Sequence, residues 1–170
     1  MGQLSNGLYN VNQYAEALSV QEALLSLHQR LGLHSENILA LQGNLANTYQ
    51  RLGRAEALNM YRDVYSGWLK LKGEEHRATL GAATNYANSL FKLERFEEAR
   101  SLMRKTIPAA HRVLGDNDRL TLKMRRTYAM AVYNDPGATL DDLREAVTTL
   151  EDSQRIAARV WRRAPAHDGD

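Results

Sequence analysis

The chain is written in repeats. The stretch NLANTYQRLGRAEAL, Asn44 to Leu58, returns in altered form as NYANSLFKLERFEEAR from Asn85. Extended outward, the match joins LGLHSENILALQGNLANTYQRLGRAEAL from Leu31, LKGEEHRATLGAATNYANSLFKLERFEEA from Leu71, and LGDNDRLTLKMRRTYAMAVY from Leu114. Gly32, Gly73 and Gly115 are separated by 41 and then 42 residues, and Ala46, Ala87 and Ala129 keep the same two steps. A fixed period of this length marks units that cannot bury their apolar faces alone and must stack.

Within each unit the apolar pattern is helical. Leu39, Leu45, Ala46 and Tyr49 share one stripe, as do Leu80, Tyr86, Ala87 and Leu90 in the next copy. In the second half of that copy Phe96, Ala99, Met103, Ile107, Ala110 and Leu114 recur at three and four residues. Each unit is therefore a pair of helices joined by a short turn. Alanine in mid-first helix, and at Ala57, Ala99 and Ala146 early in the second, allows the two axes to approach closely. The expected fold class is all-α, a solenoid of antiparallel helix pairs.

Local signals place the ends of the helices. Gly32, Gly73 and Gly115 stand where a second helix should stop, in the left-handed position that glycine adopts without strain. Ser35 and Asp118 are expected N-caps, and Thr139 with Asp142 forms a capping box with aspartate in the glutamate role. YNDPGAT, with Pro136 and Gly137, is a longer turn. Pro108, inside a second helix, removes one backbone bond and should bend it. The expected organisation is a single array over residues 1–163, with a partial repeat at 1–34, repeats at 35–76, 77–118 and 119–163, and a disordered tail at 164–170. Neither end has the polar outer face of a finished array, as in a fragment of a longer one or an end completed by another copy.

Composition narrows the function. Formal net charge is +2 in 170 residues, so no strong field points to nucleic acid or an anionic membrane. There is no cysteine, hence no disulfide framework and no thiolate zinc site. No apolar run reaches the roughly 18 residues of a bilayer span, and a soluble, cytoplasmic protein is expected. No GxxxxGK[ST], GxGxxG, HExxH or GxSxG occurs. The histidines His28, His34, His76, His111 and His167 make no helical pair, and acidic neighbours such as Glu97 and Glu98 lie at helix starts, where the macrodipole favours them. No enzyme activity, metal or cofactor is expected.

Two-helix units with alanine in mid-helix, an aromatic one turn on and alanine early in the second helix resemble tetratricopeptide repeats. The longer period, together with LGDNDRLTL, LKGEEHRATL and NLANTY, resembles the repeats of kinesin light chains over Leu4 to Arg163. The linker proline of that motif is absent in every copy, and Asn44 and Asn85 keep one asparagine of its pair. The resemblance implies a right-handed superhelical scaffold whose first helices line a concave face crossed by a peptide.

On that face the resemblance places Asn47, Gln50 and Arg51 in one copy, Thr84, Asn85, Asn88, Phe91 and Lys92 in the next, and Lys123, Arg126, Met130 and Tyr133 in the last. Amides there can bond an extended main chain, and the cations can attract an acidic segment. Solvated helix faces would look the same. Asn47, Asn85 and Arg126 also fit three places of the two-carboxylate clamp of chaperone-binding tetratricopeptide domains, while Gly43 and Met130 stand where polar residues belong. Trp68, Trp161, Tyr61, Tyr65 and Tyr128 read as packing residues. A protein or peptide partner is expected, with no nucleic acid and no membrane. The alternatives are self-association into a homo-oligomer through the unfinished terminal repeats, and an adaptor or sensor part of a larger signalling protein.

Overall fold

The computed structural model describes residues 2–162, with side chains from Gln3 to Arg159. Among them there are eight helices and no strand: α1 Gly2–Asn10, α2 Tyr14–Arg30, α3 Ser35–Arg51, α4 Glu56–Lys72, α5 Arg77–Lys92, α6 Phe96–Leu114, α7 Arg119–Asn134 and α8 Leu140–Arg162. The expected tail, His167 and the Trp161 side chain lie outside the described residues. The chain separates into two compact units, Met1–Gly73 and Glu74–Asp170.

In the first unit each helix packs on the next, α1 on α2, α2 on α3 and α3 on α4. Its core holds Ala17, Leu24, Leu45, Ala46, Ala57, Tyr61 and Val64. Gly67 of α4 faces Leu39 of α3 so closely that a Cβ there would overlap the leucine side chain. The α2–α3 seam carries a buried polar pair, Thr48 donating to Gln21 Oε1 at 2.7 Å, which satisfies two groups that would be costly to bury alone.

The second unit packs α5 on α6, α6 on α7 and α7 on α8, and α5 also touches α7. The small-residue positions that the repeats share are interior. Ala46, Ala87 and Ala129 have no exposed surface, and Ala57, Ala99 and Ala146 are buried. Burying Leu80, Leu90, Met103, Met124 and Val132 completely adds about 2 kcal/mol of transfer free energy each.

Caps set the boundaries, partly against expectation. Asp118 caps α7 by accepting from Leu120 N at 2.8 Å. The Thr139–Asp142 box closes reciprocally, Thr139 N donating to Asp142 Oδ2 at 3.0 Å and Asp142 N to Thr139 Oγ1 at 3.2 Å. Ser35 is not a cap, because α3 starts at it and His34 occupies the cap position without a side-chain bond. Gly32 ends α2 in the expected way: Leu33 N donates to His28 O and Gly32 N to Gln29 O, with φ at +60°. Gly73 and Gly115 differ, since their φ of 83° and 80° comes with ψ of 175° and 170°, a region nearly closed to other residues. The first helices close with the same bond pair as Gly32, around Asn12, Gly53 and Glu94. Helix α6 runs on through Pro108 to Leu114.

Candidate functional site

The α5–α7 face of the second unit is built from its caps upward. Arg77 at the start of α5 donates to Asp118 at the start of α7 at 2.7 Å. That bond holds the carboxyl of Asp118 below its usual range and the Arg77 guanidinium above its own. It also fixes the register of the two first helices. Two turns further on, Lys123 Nζ lies 3.4 Å from Asn85 Oδ1, and one turn later Thr127 Oγ1 lies 3.0 Å from Asn88 Oδ1. The Lys123 side chain as a whole is exposed, but its ammonium sits low against α5 and partial desolvation lowers its pKa. Lys92 and Arg126 are exposed, and Tyr133 is 79 % exposed. Asn85, Asn88, Lys123 and Arg126 thus form a polar, partly cationic strip across two packed helices.

Two of the expected groove residues are used otherwise. Thr84 is fully buried, with its hydroxyl donating to Leu80 O at 2.7 Å, so it cannot meet a ligand on that face. Helix α5 is covered by both α6 and α7, and its interior includes positions beside the apolar stripe. Asn47, in the first unit, accepts from the Tyr61 hydroxyl of α4 at 2.6 Å. Burial of that phenol raises its pKa, so it remains the donor. Gln50 is half-buried. Arg51 is exposed and lies 5.5 Å above the Tyr14 ring, and its hydrogen bond to Tyr9 raises its pKa. Phe91 meets Phe96 edge-on at 5.4 Å. Of the clamp trio, Asn47 is thus engaged within its hairpin, while Asn85 and Arg126 share the second unit.

A network the sequence did not announce joins α6 to the start of α8. Asp142 accepts from Arg104 at 2.8 Å and from Arg100 at 3.2 Å while capping α8, and these bonds hold its carboxyl far below the usual range. Asp135 lies 3.6 Å from Arg100, and Tyr128 accepts from Arg104 at 2.8 Å. The capping box was legible in the sequence. Its arginine partners, 38 and 42 residues away, were not.

Among the described residues no group of three or more His, Asp or Glu could hold a metal ion. No helix among them is long and apolar enough to cross a membrane.

Residues 79–119 match the tetratricopeptide repeat family, and the solved structures that resemble the chain carry the same architecture. The fold is that of a tetratricopeptide-repeat protein. Two crystal structures of nearly identical TPR-like repeats of a kinesin-light-chain-type protein from Podosopora anserina superpose on 94 % of this chain and 74 % of theirs. They do so with TM-scores of 0.74 and 0.71 at 23 % identity. The crystal structure of BtubC (BKLC) from P. vanneervenii covers 98 % of this chain and 82 % of its own, with TM-score 0.64 and 15 % identity. Among curated proteins none matches closely enough to count as a relative. The described helices thus share the repeat architecture of those solved structures.

Proposed function

We propose that the chain is a non-catalytic scaffold that binds a protein or peptide segment on the face made by α5 and α7. The observation that carries this is the pairing of Lys123 with Asn85 and Thr127 with Asn88 across two packed first helices. The pairs hold amide and ammonium groups in fixed positions on one surface, beside the exposed Lys92, Arg126 and Tyr133. An extended segment laid across them meets carbonyl acceptors and N–H donors at helix spacing, and the cations favour acidic residues in it. Rigid display keeps the entropic cost of binding with the ligand rather than the scaffold. The resemblance to kinesin light chain repeats supports the same assignment, with the chain acting in the cytoplasm.

The test is capture from lysate by the full chain beside Asn85→Ala/Asn88→Ala, after circular dichroism has shown equal helicity. A partner retained by the wild type and lost from the variant is the expected result. Equal capture by both would assign the face to solvent.

A further inference from the structure

The chain has five lysines, and Lys123 is set apart from the others by where its nitrogen lies. Nζ rests against α5, and its hydrogen-bond partner is a neutral acceptor, Asn85 Oδ1, at 3.4 Å. Lys72, by contrast, is paired with Glu36. The carboxylate nearest in sequence on that side of α7, Asp118, is taken by Arg77. Around Lys123, α7 contributes the cations Arg119 and Arg126, and α8 contributes Leu150, Ser153, Gln154 and Ala157, none of them ionisable. Among the described residues the ammonium therefore has no counter-charge. Burial alone lowers its pKa, with no contribution from a charged neighbour, so contact with α5 favours the neutral amine.

The position nevertheless opens onto the surface. One repeat step earlier the matching residue is Gly81. Helix α7 is packed against that hairpin, yet Gly81 stays partly exposed, and a Cβ built on it would meet open space. A side chain at this place in the repeat thus leaves the core even where a following helix is in position. Lys123 itself is exposed, so its amine is partly desolvated on one side and within reach of a reagent on the other.

We propose that Lys123 is a site of acylation by acyl thioesters, and that the modification turns off partner binding at the α5–α7 face. The neutral amine attacks the thioester carbonyl, the N–C bond forms as the C–S bond breaks, and one amine proton leaves with the thiol. The product is an uncharged amide, which removes a cation from the strip beside Asn85 and Asn88. The switch rests on the binding role proposed above, whereas the reactivity of Lys123 does not.

The test incubates the full chain with acetyl-coenzyme A near neutral pH and follows acetylation at each lysine by digestion and mass spectrometry. Lowering an amine's pKa raises its neutral fraction more than it lowers its nucleophilicity, so Lys123 should react about threefold or more faster than Lys105, an exposed lysine of α6. The rate at Lys123 should also level off at a lower pH. Equal rates, or coincident pH profiles, overturn the site. S-ethyl thioacetate, a thioester without a nucleotide, should give the same order. Loss of the preference with that reagent overturns the proposal by tracing the selectivity to nucleotide binding. For the switch, Lys123→Gln copies the acylated side chain and Lys123→Arg keeps the charge. A partner that Asn85→Ala/Asn88→Ala fails to capture should also be lost from Lys123→Gln and kept by Lys123→Arg. Its retention by Lys123→Gln overturns the switch. Failure of the binding role reads differently, as equal capture by the wild type and Asn85→Ala/Asn88→Ala with the acetylation order intact, and that result overturns the switch while the site stands.

Discussion

Thr79 and Thr121 occupy the same place in successive repeats, each the third residue of its helix, and both are buried. Neither hydroxyl has a hydrogen-bond partner. A buried hydroxyl left unpaired costs about 1–3 kcal/mol relative to one that is bonded or absent. Valine keeps the branched shape, and its helix propensity is close to that of threonine. Thr79→Val and Thr121→Val should therefore each stabilise the protein by about 1 kcal/mol, raising Tm by about 2–4 °C. Thr84→Val is the control, because that hydroxyl is bonded to Leu80 O and its loss should cost about 0.5–1.5 kcal/mol. Thermal unfolding followed by circular dichroism on all three variants gives the comparison. If Thr79→Val and Thr121→Val lower Tm as Thr84→Val does, the two hydroxyls are satisfied in solution and the reasoning fails.

The turn residues make opposite predictions. Glu94 holds a φ of 59° that costs a side chain roughly 1 kcal/mol, so Glu94→Gly should stabilise by about that amount, whereas Gly115→Ala, at φ 80° and ψ 170°, should destabilise by about 1–3 kcal/mol. Denaturant midpoints with matched slopes would check the pair, and a destabilised Glu94→Gly would refute the turn argument. Asp142 has a folded pKa below its unfolded one, so its contribution is complete above the ordinary carboxylate range and is lost as pH falls toward the depressed value. Tm of the wild type should therefore drop more steeply between about pH 5 and 3 than that of Asp142→Asn. Equal slopes would mean that the arginines do not hold this carboxylate in solution.

The helices were readable because alanine and leucine recur at a period the backbone cannot satisfy in any other way. The turns were less so. Gly53, Glu94 and Asn12 adopt the backbone of Gly32, yet only the second-helix glycines were singled out, because residue identity hides a shared hydrogen-bond pattern. On the candidate face, polarity misled. Thr84 looks like a surface residue in a stripe analysis, but α5 lies between neighbours, and small hydroxyl residues are buried there. Asn47 and Asn88 share a repeat position but not a partner, since Tyr61 reaches Asn47 while Thr127 reaches Asn88.

The side-chain bonds that join separate helices have a consequence for how the molecule is made. Tyr61 reaches back 14 residues to Asn47, Thr48 reaches 27 to Gln21, and Asp142 reaches 42 to Arg100. Each such link becomes available once about one repeat of chain has been synthesised, so a hairpin can close before the next exists. The polypeptide can thus be assembled in the order in which the ribosome delivers it.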